Sequence, residues 1–85
     1  MNYSDINAFK KRTMEMLKKG KEMYACLTKK SPTSGVGDKV EAAMRGLSKS
    51  AGKVLKTSSY EEVSKHIPDV LDNYLIISLE YNKRL

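Results

Sequence analysis

"INAFKKRTMEMLKKGKEMYACL", residues 6–27, decides how this chain folds. Ile6, Phe9, Thr13, Met16, Gly20, Met23 and Leu27 follow one another at spacings of 3, 4, 3, 4, 3 and 4. That rhythm averages close to one α-helical turn, so all seven residues fall on one side of a helix. A half-buried strand would alternate every second residue instead. Leu17 and Tyr24 widen the seam to one side. Two seam positions, Thr13 and Gly20, are small. At Gly20 either a neighbouring helix comes close, or the glycine marks a bend at a cost of about 1 kcal/mol in helix propensity. Ser4 has the hydroxyl of a good N-cap, and Asp5 adds negative charge where the helix dipole favours it. The reading is one helix over about residues 4–30.

The same rhythm recurs twice. After "KKSPTSGVGDK", whose Pro32, Gly35 and Gly37 predict a loop over 31–37, Val40, Met44, Leu47, Ala51 and Val54 repeat at 4, 3, 4 and 3. This second helix spans about 38–56, with Asp38 and Glu41 spaced as a capping box. Its glycines and serines give it low intrinsic propensity, so it needs packing to persist. Ser59 and Glu62 form another capping-box pair ahead of Tyr60, Val63, Ile67, Val70, Tyr74, Ile77 and Tyr81. The third helix covers about 59–84. Pro68 lacks the amide that a helix interior needs, so the helix is expected to kink or split there. The fold expected is all-α: a single domain, a small three-helix bundle running up-down-up.

Eighty-five residues make one domain with a small core. No run of residues approaches the roughly 18 apolar positions of a membrane span. The first residues do not read as a secretory signal, and a single cysteine, Cys26, excludes an internal disulfide. The expected location is cytoplasmic. Cys26, between Ala25 and Leu27, is expected to be a small packing residue.

The net charge is +6, unevenly spread. Residues 1–30 carry eight Lys/Arg and three acids, 31–57 five and two, and 58–85 three and five. On a helical wheel Arg45, Lys49, Lys53 and Lys56, joined by Lys39, share a stripe of about 120° opposite the apolar face. Gly46, Gly52 and Ala42 lie within or beside it, so this face is basic and low in bulk. Lys10, Lys11 and Arg12 form a second cluster, near Glu15 and Glu22, which are spaced to pair with Lys11, Lys18, Lys19 or Lys21. These cations suit contact with phosphates or long-range steering of an acidic protein. No aromatic set is interleaved with them as in single-strand binders. A membrane surface fits less well, because the lysine-bearing helices lack Trp and large apolar flanks.

Catalytic patterns are absent from the sequence. His66 has no Cys or carboxylate at metal-ligand spacing, and no triad or dyad is legible. The glycine loop lacks the Gly-Lys-Ser/Thr ending of a phosphate loop. The expectation is a non-enzyme without cofactors. "YLIISL", residues 74–79, is apolar nearly all round, and a bundle this small cannot easily cover every side of one helix. Leu71, Leu75, Ile76, Leu79 and Tyr81 are therefore the expected contact residues for a protein partner or a homodimer. Lys10, Lys11, Arg12, Arg45, Lys49, Lys53 and Lys56 are the expected anion-contact or steering residues. The leading expectation is a small protein-interaction or regulatory module of adaptor, chaperone or inhibitor type. The alternative is a nucleic-acid-binding accessory protein using the second helix.

Overall fold

The seam of residues 6–27 becomes the inner edge of the first helix, α1, Tyr3–Lys30. The computed structural model describes residues 3–30 and 35–85, and side chains over 6–30 and 35–85. Ile6, Thr13, Gly20 and Leu27, seven residues apart, are buried, with Phe9, Met16, Leu17, Met23 and Tyr24 half-buried beside them. The helix backbone already includes Tyr3, which sets Ser4 in its first turn. The side chains of Ser4 and Asp5 lie outside the described residues, as do residues 31–34 of the expected loop.

α2 spans Asp38–Lys56 and α3 Tyr60–Lys83. The Phe9 and Tyr60 rings stand 6.3 Å apart at one end, while Lys30 Nζ donates to the Arg84 carbonyl at 3.4 Å at the other. α1 and α3 therefore run parallel with α2 antiparallel between their ends, the up-down-up order. The molecule measures 47 × 19 × 17 Å, little longer than the roughly 42 Å expected of a 28-residue helix.

Local chemistry sets the joints. Gly35 and Gly37 both have positive φ, 72° and 96°, which side-chain-bearing residues rarely adopt. Between them Val36 turns inward and is buried with Leu27 and Val40, and Tyr24 and Tyr81 pack on this small cluster. Gly37, rather than Asp38, is the N-cap of α2, and no side chain caps it. The expected Asp38 capping box is thus absent, because the backbone turn is made one residue earlier. Asp38 and Glu41 still place acid in the first turn, where the dipole favours it. At α3 the cap is as read from sequence on one side: Ser59 Oγ accepts from Glu62 N at 3.3 Å. The reciprocal bond is replaced, since Ser59 N donates to Thr57 Oγ1 at 3.0 Å.

The main core comes from α2 and α3. Ala43, Leu47, Ala51 and Val54 meet Val63, Val70 and Ile77. Phe9, Met16, Leu17 and Met23 lay α1 over them. A Cβ placed on Gly20 would stand 2.5 Å from Cδ2 of Leu47, so the glycine is the site of close approach and Leu47 occupies the space. Full burial of a leucine such as Leu47 contributes about 1.5–3 kcal/mol. Among the described residues two polar side chains are buried, Ser50 and Thr13. Ser50 Oγ donates to the Gly46 carbonyl at 2.7 Å, but Thr13 Oγ1 has no hydrogen-bond partner.

Pro68 sits inside α3, which runs unbroken from Tyr60 to Lys83. The expected split does not occur, and the expected kink is not confirmed. Pro68 faces solvent, so water can satisfy the carbonyl that its missing amide leaves free. Cys26 is exposed, not packed, because it lies off the seam of α1.

Three substitutions test this packing. Gly52 has open space where a Cβ would go, so Gly52→Ala should raise stability by about 1 kcal/mol through helix propensity alone. Gly20→Ala gains the same propensity but pushes into the fully buried Leu47, so it should lower stability by about 1 kcal/mol. Opposite shifts of the urea midpoint test this, and equal shifts would contradict the close approach. Thr13→Val removes a buried hydroxyl without a partner and should stabilise by about 1 kcal/mol. For a chain of this size that is a rise in Tm of about 4–8 °C.

Candidate interaction surface

α3 is apolar on two sides. With Ile77 facing the core, Leu71, Leu75 and Leu79 fall about 120°, 160° and 200° around the helix, on its outer side. The structure leaves them 51%, 54% and 60% exposed. One turn separates each from the next, so they form a ladder along the back of α3. Pro68, also exposed, extends its line toward the helix start. The helix is therefore not covered by the other two. α1 and α2 both lie against its Val63–Val70–Ile77 side, and the opposite side is left open.

The five expected contact residues divide accordingly. Leu71, Leu75 and Leu79 make the ladder. Ile76 is half-buried and packs on the main core, while Tyr81 packs on the Leu27–Val36–Val40 cluster. Those two are joined to the fold as much as to any surface. At its far end the ladder runs into a shallow groove between α2 and α3, where Leu79 and Ile76 face Val36, Val40 and Lys39, with Glu80 and Lys83 at the rim.

The expected cations are placed as the wheel implies, with one change. Arg45, Lys49, Lys53 and Lys56 are exposed, as are Lys11 and Arg12; Lys10 is half-buried. Along α2 the stripe borders α3. Lys49 and Lys53 share a groove with His66, Asp69 and Asn73, and Lys53 and Lys56 share the next with Glu62, His66 and Thr57. Two carboxylates thus stand beside the basic stripe, which the sequence of α2 alone did not show.

Gly46 also has a structural use. A Cβ there would come within 2.8–2.9 Å of the Asn73 amide group, so the low bulk admits a side chain of α3. Asn73 is held by its Nδ2, which donates to the Asp69 carbonyl at 2.7 Å. The glycine could have been linked to this groove only with α3 in place, because Asn73 lies 27 residues further along the chain.

Carboxylates of α3 meet basic side chains of α3 itself and of its C-cap, Arg84. Glu62 meets Lys65 at 3.5 Å and His66 Nε2 at 3.6 Å, and Glu80 meets Arg84 at 2.9 Å. The expected pairs of Glu15 and Glu22 with neighbouring lysines of α1 are not formed within 4.0 Å. No described group of three or more His, Cys, Asp or Glu side chains could hold a metal ion. No described helix is long and apolar enough to cross a membrane. Comparison of the chain with protein-family models, with curated proteins and with solved structures found no match.

Proposed function

We propose that this protein is a non-enzymatic interaction module, of adaptor, chaperone or inhibitor type, that binds a protein through the outer side of α3. The observation that carries this reading is the Leu71–Leu75–Leu79 ladder. Three leucines, each more than half exposed and stacked one turn apart, add on the order of a few hundred Å² of apolar surface, a size that often marks a contact site. A helix presenting i, i+4 and i+8 anchors is a common way to occupy a partner's groove. The positive charge of α1 and α2 supplies long-range attraction for an acidic partner and sets the rate of encounter more than the lifetime of the complex.

Capture on the immobilised chain tests this reading. A bound acidic protein should survive nuclease treatment, be lost with Leu75→Asp, and associate more slowly as salt rises. Capture that is indifferent to Leu75→Asp would overturn the ladder's role.

A second reading rests on a different observation. Arg45, Lys49, Lys53 and Lys56 are exposed and, among the described residues, held in no ion pair. They favour an accessory nucleic-acid-binding protein that contacts phosphates without reading sequence. Four phosphate contacts on duplex DNA predict a log-affinity against log-salt slope of about −3.6. The neighbouring Glu62 and Asp69 oppose that binding, so the affinity expected is low and fades near physiological salt. Lys49→Glu with Lys53→Glu should abolish it without unfolding. Absence of binding to DNA and RNA at low salt would remove this reading.

A further inference from the structure

We infer that the Leu71–Leu75–Leu79 ladder is the two-fold interface of an antiparallel homodimer, α3 against α3 of a second copy. The inference rests on the ladder being a contact surface and names its occupant. The second copy and the acidic partner proposed above then compete for the same ladder.

Charge selects where two such chains can meet. Residues 1–30 carry +5 and residues 31–57 carry +3, whereas 58–85 carry −2. Contact through α1 or α2 would set the strongly basic segments against themselves, whereas α3 against α3 opposes only the smaller charge of −2. Contact through the outer side of α3 places the four basic helices at the two far sides of the assembly.

The ladder is also its own complement. Leu71 and Leu79 lie one turn either side of Leu75, so an antiparallel pair centred there sets Leu75 on Leu75 of the second copy and Leu71 level with its Leu79. Such a contact closes on itself, as a two-fold interface must.

Direction follows from the rims. By the helical wheel, Glu61, Lys65, Asp72 and Lys83 lie to one side of Leu75, at about +40° to +80°, and Ser64, Ser78 and Asn82 to the other, at about −20° to −60°. An antiparallel two-fold faces each flank with its own copy. Asp72 then lies about 7.5 Å along the axis from Lys83 of the second copy, within reach of a lysine side chain. A parallel two-fold would set the charged flank against the serine and asparagine flank. It would also align the helix dipoles, which the antiparallel pair opposes. Three leucines per copy make a small interface, so the dimer is weak, with a Kd of about 10–100 µM.

Sedimentation equilibrium from about 1 to 500 µM brackets that Kd. The wild-type chain should shift from monomer to dimer over this range. Leu75→Lys should weaken association by about 100-fold or more, and Leu75→Gln, without added charge, by about 10-fold or more. Both should keep the wild-type circular dichroism, since Leu75 is exposed. Direction is read in a Cys26→Ser background, by oxidising an equal mixture of Leu71→Cys and Leu79→Cys chains. A crosslink between the two different chains is expected. Crosslinks mainly between like chains would overturn the antiparallel register. A wild-type chain that stays monomeric throughout would overturn the dimer, while ladder-dependent capture of a different protein would still support the interaction module.

Discussion

Leu47 fills the space that Gly20 leaves empty, against Ile77, and the arrangement of the three helices depends on that contact. α1 brings small residues, Thr13 and Gly20, to the middle of its seam, while Leu47 of α2 and Ile77 of α3 bring full-sized apolar ones. The result is a core made mainly between α2 and α3, with α1 laid closely over it. Close-packed interiors respond to a single methyl group, so the glycine is as much a part of this core as the leucine. The missing partner of Thr13 Oγ1 belongs to the same trade: a small side chain allows approach, and the hydroxyl it brings goes unsatisfied.

This packing uses only one side of α3. Both neighbours gather against Val63, Val70 and Ile77, and nothing in the described chain reaches the opposite side. A surface helix normally turns charge and polarity outward. Here Leu71, Leu75 and Leu79 interrupt that pattern at the place the bundle leaves bare. The exposed ladder costs the free chain in unfavourable hydration, and a partner or second copy that covers it recovers that cost. The proposed function and the proposed dimer both derive from this one conflict between helix sequence and helix environment.

Electrostatics follows the same division. The two basic helices stand away from Leu71 and Leu75, α2 approaching the ladder only at its Leu79 end, and the least basic helix carries it. Where α2 meets α3, Glu62 and Asp69 temper the field of Lys49, Lys53 and Lys56. The cations are consequently better suited to steering at a distance than to gripping phosphates along a continuous strip.

Helix number, order and extent were legible in the sequence, because 3-and-4 spacing of apolar residues is a property of each segment by itself. Val63, Val70 and Ile77 as core, and Leu71, Leu75 and Leu79 as an unusual second edge, could be read in the same way. Caps were less legible. The Ser59 cap is local and was evident, whereas Gly37 displaced Asp38 because a backbone φ of 96° is not written in capping chemistry. The tertiary structure alone decided which chain neighbour each small residue serves. Gly20 admits Leu47, Gly46 admits Asn73, and Gly52 admits nothing. It alone decided that Ile76 joins the core while Leu75 does not, and that two carboxylates border the basic stripe. Periodicity establishes that a helix has faces; which face is covered depends on where the other helices lie, and that is set by contacts between residues far apart in the chain.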